Sequence, residues 1–242
     1  MLFRSDGTTL TSLGRNNAIS VIALAERGAM FDPGPCVYMD KIATGPEARD
    51  VIDLDAPVQA NLEAVAKAKG EKVSDVTAVV LDRDRHADII AACREAGARV
   101  RLIPDGDVAG AISVAWPESG SDILFGIGGT PEGVIAACAL RCLGGEILGR
   151  LWPRNDEERR EALDAGFDLD QVLTAVDLVN GDDVFFAASG ISDGDLLRGV
   201  RYFGDGAISE SLVMRSKSGT IRKIRTQHRW QNLARFPGLD DF

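Results

Sequence analysis

The middle of the chain alternates between short apolar runs and segments whose apolar residues recur at helical spacing. The run 76–81 is almost continuously apolar and β-branched, which is typical of a strand buried on both faces. In the segment 86–96, Ile89, Ile90 and Cys93 recur at helical spacing and predict a helix. Further strands are predicted at 100–103, 122–125 and 183–188, and further helices at 108–114 and 130–143. Repeated β-α-β units of this kind predict an α/β fold, with a mainly parallel sheet flanked by helices.

The two ends of the chain have a different pattern. Near the N-terminus, residues 17–24 are strand-like, and residues 56–69 follow an amphipathic helical pattern that ends at Gly70. Near the C-terminus, 209–214 and 220–226 are predicted as the two strands of a hairpin. We therefore predict a partial N-terminal α+β layer, built from residues 1–75 and the C-terminal hairpin segment 204–242, beside an α/β domain at 76–203.

Carboxylates follow each of the four predicted strands, glycines follow three of them, and the first loop carries cations in place of glycine. The loops are 82–86, 104–107, 126–133 and 189–195. Because ligands of open α/β sheets bind beyond the carboxyl ends of the strands, we expect these loops to form one site. Carboxylates beside Arg and His suit a phosphate held by magnesium or manganese, since these ions prefer oxygen ligands and Arg matches phosphate oxygens.

Each of these groups also has a purely structural interpretation. Asp105 and Asp107 are typical turn and helix-cap residues, and Glu132 suits the first turn of a helix whatever its role. His86 is equally compatible with a solvated helix start. The glycine run at 126–131 lacks the third glycine of a dinucleotide-binding fingerprint, so a nucleotide site is not favoured there.

Composition narrows the class of protein further. The 242 residues carry a formal net charge of −10, which argues against bulk binding to nucleic acid. No apolar run is long enough for a membrane span, and no signal peptide is visible at the start, so we expect a cytoplasmic protein without membrane partners. The four cysteines form no Cys-x-x-Cys pair, and we expect them to be small buried side chains.

These motifs resemble those of the class II fructose-1,6-bisphosphatases, which belong to the lithium-sensitive, metal-dependent phosphatase superfamily. The motifs that carry the resemblance are Asp6-Gly7-Thr8-Thr9, Tyr38-Met39-Asp40-Lys41, Arg85-His86, Pro104-Asp105-Gly106-Asp107-Val108-Ala109, Gly126-Ile127-Gly128-Gly129-Thr130-Pro131-Glu132-Gly133 and Arg215-Ser216-Lys217-Ser218. The resemblance implies a layered sugar-phosphatase sandwich. It also implies hydrolysis of fructose 1,6-bisphosphate to fructose 6-phosphate and phosphate, in gluconeogenesis and glycerol metabolism, by a water that Mn²⁺ or Mg²⁺ activates.

The resemblance also implies roles for individual residues. Asp6 and Glu132 match metal ligands, and Thr8 matches a threonine that helps to activate the attacking water, so these three are the implied catalytic residues. The implied substrate-binding residues are Asp6, Gly7, Thr8, Tyr38, Arg83, Asp84, Arg85, His86, Asp105, Gly106, Asp107 and Gly129. A homo-oligomer is a further expectation at the level of the family.

The sequence departs from the family pattern in three places. Phe3-Arg4-Ser5 stands where the family has Asp-Pro-Ile before Asp6, which removes a bridging metal carboxylate. The family's N-terminal segment, which supplies two further metal-binding acids, has no counterpart here, so residues 1–75 are expected to be a remnant of the N-terminal phosphatase domain. Asp84 stands where the family usually has proline. The open alternatives are a catalytically incomplete homologue that binds sugar phosphate or a partner subunit, and an enzyme acting on sedoheptulose 1,7-bisphosphate or an inositol phosphate.

Overall fold

The chain forms two β-sheets with helices between them, and the computed structural model describes residues 1–233. The strands are β1 (Leu2–Asp6), β2 (Ile19–Leu24), β3 (Tyr38–Thr44), β4 (Thr77–Leu81), β5 (Arg99–Ile103), β6 (Ile123–Gly129), β7 (Glu146–Leu151), β8 (Phe185–Gly190), β9 (Arg201–Phe203), β10 (Gly206–Arg215) and β11 (Thr220–Arg229). The helices are α1 (Thr8–Ser12), α2 (Val58–Lys69), α3 (Ala87–Glu95), α4 (Asp107–Val114), α5 (Thr130–Leu143), α6 (Asp156–Asp164), α7 (Ala175–Leu178) and α8 (Trp230–Leu233). The predicted α/β class is confirmed.

The five-stranded sheet is only partly parallel. Its strand order is β5-β4-β6-β3-β7, with β4 parallel to β5 and β6, and with β3 antiparallel to β6 and β7. Strands β4, β5, β6 and β7 therefore run in one direction, as a mainly parallel sheet requires, and β3, which was not recognised in the sequence, runs against them and makes the sheet mixed. Asp40 and Lys41 interrupt the apolar pattern of β3, yet Lys41 is buried because it forms an ion pair with Asp107.

The six-stranded sheet is antiparallel throughout. Its order is β1-β2-β8-β10-β11, and β9 pairs with β10. The strand predicted at 183–188 exists as β8, but it lies between β2 and β10, and its predicted place in the sheet of β4 and β6 is wrong. Burial alternates along β8, and so short an apolar run fits either kind of sheet. The strands that pair with β8 are therefore set by the tertiary fold, and the residues of β8 alone do not identify them.

The predicted C-terminal hairpin is confirmed. Strands β10 and β11 pair from Gly206 opposite Arg229 to Arg215 opposite Thr220, and the chain turns at 216–219. Residues 234–242, the end of the predicted segment 204–242, lie outside the described residues. The division into two domains stays a prediction, and each sheet combines strands from both predicted parts, since β3 pairs with β6 and β2 pairs with β8.

Helices α4 and α5 lie between the two sheets, and their buried faces form the centre of the main core cluster. Helix α5 packs on β2 and β8 of one sheet and on β3, β6 and β7 of the other. The core joins Phe186 and Met214 of the six-stranded sheet to Val79 and Leu124 of the five-stranded sheet. Removal of this apolar surface from water is the main force that holds the sheets together and fixes the ends of their strands.

The glycine run before α5 is a strand and not the predicted loop. Gly126–Gly129 are the last residues of β6 and pair with Lys41–Tyr38 of β3. The prediction of a loop over 126–133 is therefore wrong for residues 126–129. Glycine is uncommon in strands, so this glycine-rich segment was not recognised as the end of β6. Helix α5 begins at Thr130, with Gly129 at its N-cap and Pro131 in the first turn.

Two expectations from composition concern the rest of the chain. All four cysteines are buried free thiols, as predicted, and burial raises the pKa of Cys138 to about 12, which keeps it protonated and unreactive. Within residues 1–233, none of the helices has the length and apolar character needed to cross a membrane.

Candidate active site

One cavity of about 390 Å³ lies where β1, β4 and β6 end and where α4 and α5 begin. Ten of the thirteen predicted site residues line it: Asp6, Gly7, Thr8, Tyr38, Arg83, Arg85, Asp105, Asp107, Gly129 and Glu132. The other three, Asp84, His86 and Gly106, do not line it. Residues that are more than a hundred positions apart in the sequence thus meet around a single space.

Asp6 is the buried carboxylate of this cavity. It ends β1, is 4% exposed, and its Oδ2 accepts a hydrogen bond of 2.8 Å from the backbone N–H of Ala109 in the first turn of α4. Burial, together with repulsion from Asp107 and Asp105, raises the pKa of Asp6 to about 7 against the pull of the helix N–H groups. Asp6 is therefore poised to exchange a proton near neutral pH.

Two glycines shape the backbone around Asp6. Gly106 has a left-handed conformation with φ of 87°, and a Cβ placed on it would lie 3.3 Å from Oδ2 of Asp6. Gly7 has φ of 82° and turns the chain from β1 into α1, so that Thr8 opens the helix at the cavity. Gly106 therefore acts on the site through the position of Asp6 rather than by lining the cavity.

Lys41 is a residue of the site that the sequence analysis missed. Its side chain is 3% exposed, and its Nζ lies 2.5 Å from Oδ2 of Asp107 and 3.3 Å from the carbonyl oxygen of Gly129. A Cβ on Gly128 would clash with Oδ2 of Asp107, so glycine leaves room for the ion pair beside β6. The available signal was the lysine at the end of the Tyr38–Lys41 motif.

Two arginines bring positive charge to the cavity, and backbone carbonyls hold both. Arg85 donates from Nε and Nη2 to the carbonyl oxygen of Ile127, at 3.2 and 2.8 Å, and its guanidinium lies 5.6 Å from the ring centroid of Tyr38. Arg83 donates to the carbonyl oxygen of Pro104 at 2.7 Å. These contacts fix the guanidinium groups in positions where they can donate to an anion.

Glu132 lies in the first turn of α5 and faces another cation. Its Oε1 is 3.5 Å from Nε of Arg4, which also lines the cavity. Arg4 was noted in the sequence only as a departure from the family pattern. The structure places its guanidinium beside a predicted metal ligand.

His86 has a structural role in this arrangement. The ring is fully buried, Nδ1 lies 2.8 Å from the carbonyl oxygen of Leu81, and Nε2 accepts a 2.9 Å hydrogen bond from the N–H of Ile127. Burial lowers the pKa of His86, so the ring is neutral and donates from Nδ1. It ties the end of β4 to β6 and thereby supports the loop that carries Arg83 and Arg85.

The side chains of the described residues do not form a metal site by themselves. Within residues 1–233, no group of three or more His, Cys, Asp or Glu side chains is arranged to hold a metal ion. Of the two predicted ligands, Asp6 accepts from the N-terminus of α4 and Glu132 pairs with Arg4.

Comparison with known proteins shows the family of the chain. The family of bacterial fructose-1,6-bisphosphatases encoded by glpX matches residues 4–228. Two relatives named D-fructose 1,6-bisphosphatase class 2/sedoheptulose 1,7-bisphosphatase, from Synechococcus strains JA-3-3Ab and JA-2-3B'a(2-13), are each 44% identical over 92% of this chain and 68% of their own length. A fructose-1,6-bisphosphatase class 2 from Haemophilus influenzae is 42% identical over 92% of this chain and 71% of its own length. The chain therefore belongs to the glpX-type family of class II fructose-1,6-bisphosphatases.

Proposed function

We propose that this chain hydrolyses fructose 1,6-bisphosphate to fructose 6-phosphate and phosphate. The observation that carries the proposal is the cavity of about 390 Å³ in which ten predicted site residues meet. Membership of a family of phosphatases supports the same reaction. Water attacks the phosphorus of the 1-phosphate, the bond from phosphorus to the sugar oxygen breaks, and a proton passes from the water to the departing oxygen.

The arginines bind the charged part of the substrate. Arg83 and Arg85 line the cavity on fixed backbone contacts. Each guanidinium has five N–H donors, and Arg85 uses only its Nε and Nη2 on Ile127, which leaves Nη1 for a phosphate oxygen. The beginnings of α4 and α5 also point toward the cavity, and the positive ends of their dipoles favour an anion.

Asp6 and Thr8 are suited to the attacking water. Thr8 is exposed in the first turn of α1 and lines the cavity, so its hydroxyl can hold a water near the phosphate. In its carboxylate form Asp6 accepts a proton, directly or through Thr8, and with a pKa of about 7 it can return that proton to the sugar oxygen. A requirement for Mn²⁺ or Mg²⁺ remains part of the proposal, to be tested directly.

The test is phosphate release from fructose 1,6-bisphosphate with the purified chain. We expect turnover that falls at least a hundredfold in Asp6→Asn, since an amide cannot accept the proton. Asp50→Asn is the matched control, because Asp50 is exposed, lies outside the predicted site and does not line the cavity. Parallel samples with EDTA and with Mn²⁺ measure the metal requirement. A folded sample that binds fructose 1,6-bisphosphate but releases no phosphate with or without metal would instead indicate the incomplete homologue.

Sedoheptulose 1,7-bisphosphate is a second candidate substrate. The two Synechococcus relatives are named as sedoheptulose 1,7-bisphosphatases as well. Both sugars carry a phosphate on carbon 1, so the same phosphate contacts serve both. A comparison of kcat/KM for the two substrates decides between them, and an inositol monophosphate in the same assay tests the remaining alternative.

We also propose that the enzyme is cytoplasmic and acts in gluconeogenesis and glycerol metabolism. We further propose that it is a homo-oligomer with the layered sandwich architecture of sugar phosphatases. Loss of growth on glycerol after deletion of the gene tests the metabolic role, and the mass of the purified protein in solution tests the oligomer.

A further inference from the structure

Arg4 carries a guanidinium that the predicted set of site residues does not include. It lies on the edge strand β1, two residues before Asp6, and lines the same cavity as Arg83 and Arg85. Its side chain is 49% exposed, and its Nε faces Oε1 of Glu132 at 3.5 Å. The guanidinium is therefore held at the cavity by a carboxylate and is still open to a ligand.

The charges around the cavity show why this cation matters. Four carboxylates line the cavity, namely those of Asp6, Asp105, Asp107 and Glu132, and three arginines line it, namely Arg4, Arg83 and Arg85. Arg83 lies 3.9 Å from Asp105, Lys41 neutralises Asp107, and Arg4 is the ion-pair partner of Glu132 among the described residues. Without Arg4, the charge of Glu132 would repel an incoming phosphate at short range.

We propose that the Arg4 guanidinium binds a phosphate group of the substrate together with Arg83 and Arg85. Arg4 thereby places next to Glu132 the positive charge that a bound metal ion would otherwise supply. This inference rests on the proposed hydrolysis of fructose 1,6-bisphosphate. Nε of Arg4 serves Glu132, and Nη1 and Nη2 then present a fork to two phosphate oxygens. The substrate is expected to bind without a divalent ion.

Isothermal titration calorimetry in EDTA tests the proposal, with inorganic phosphate and fructose 1,6-bisphosphate as ligands. We expect wild type to bind both, and Arg4→Met to bind about tenfold or more weakly, as loss of a charge-assisted contact predicts. Arg4→Lys should fall between them, since lysine keeps the charge but loses the fork. The control is Arg27→Met, an exposed arginine beyond the far end of β2 that does not line the cavity. Arg4 is half exposed, and a thermal melt verifies that each variant folds.

Three results would overturn the inference, and they separate it from the proposed function. If wild type and Arg4→Met bind in EDTA within twofold of each other, Arg4 makes no phosphate contact and the proposed hydrolysis stands. If wild type binds only after Mn²⁺ is added, a metal ion supplies the charge and the hydrolysis again stands. If wild type binds fructose 1,6-bisphosphate neither with nor without Mn²⁺, the proposed function fails and the inference fails with it.

Discussion

The two ends of strand β6 carry similar charged groups in very different settings. Before its first residue, Asp122 pairs with Lys69 and accepts a hydrogen bond of 2.7 Å from the N–H of Thr77. Its carbonyl oxygen accepts a further hydrogen bond of 2.8 Å from Thr44. After its last residue, the charged groups surround a cavity of about 390 Å³. One end of the strand is closed by mutual contacts, and the other is left open to a ligand.

The difference shows how a binding site can be recognised among buried charges. At the closed end, a backbone N–H and a lysine satisfy both oxygens of Asp122, so its role is to hold β4 and β6 in register. At the open end, Asp6 is buried next to Asp105 and Asp107, and the three carboxylates repel one another. Like charges kept together at a cost in stability indicate a function.

The largest expected effect concerns the charge of Asp6. The pKa of Asp6 is about 7 in the folded chain and 3.8 in a model peptide, so the folded chain holds a proton that the unfolded chain releases between these values. Stability should therefore fall as the pH rises from about 4 to about 7. Asp6→Asn cannot ionise, and we expect it to exceed wild type at pH 8 by up to about 4 kcal/mol. Urea unfolding at several pH values measures this difference.

The closed end supplies the control for this titration. Asp122→Asn should be less stable than wild type at pH 8, because the amide keeps the contact with Thr77 but loses the ionic attraction to Lys69. The two substitutions are therefore expected to have opposite signs. Stability curves for Asp6→Asn and wild type that run parallel from pH 4 to pH 8 would contradict the raised pKa.

A second prediction compares the loss of stability when Lys41 or Lys69, the ion-pair partners of Asp107 and Asp122, is replaced. Lys41→Met leaves Asp107 buried without its partner, and we expect a loss of about 3 kcal/mol in the free energy of unfolding. Lys69 is 25% exposed and Asp122 keeps the N–H of Thr77, so Lys69→Met should cost only about 1 kcal/mol. Urea unfolding of both variants measures the ratio. In the double variant Lys41→Met with Asp107→Asn, we expect part of the loss to be recovered, and a double variant less stable than Lys41→Met would argue against a buried ion pair.

The sequence predicted α2, α3, α4 and α5 and seven of the eleven described strands because their apolar spacing is local, but it missed α1, α6, α7 and α8. Helix α2 ends at Gly70 and α5 begins at Thr130, as the pattern indicated. Strand β3 was missed because its buried Lys41 becomes tolerable only through Asp107, which lies 66 positions away. The partners of β8 were wrong for a related reason, since pairing between distant strands leaves no local pattern.

Most of the candidate site was predictable because its residues lie in short motifs with recognisable spacing. What the motifs did not reveal is how those residues divide their roles. His86 belongs to a motif yet is fully buried with both ring nitrogens engaged, whereas Arg4 lies outside the motifs and lines the cavity. These roles depend on depth and on neighbours in space, which are properties of the fold.

The smallest effect is expected when alanine replaces either of two glycines that share a left-handed backbone conformation. Gly106 and Gly70 have φ of 87° and 70°, so alanine at either position is strained by about 1 kcal/mol. A Cβ on Gly70 meets nothing within 4 Å, whereas on Gly106 it lies 3.3 Å from Oδ2 of Asp6. Gly70→Ala and Gly106→Ala should therefore lose similar stability, but only Gly106→Ala should lower kcat for phosphate release, by roughly tenfold, because it displaces Asp6 from Ala109. Equal kcat values in the two variants would mean that Asp6 tolerates displacement, and the proton transfer assigned to it would then lie elsewhere.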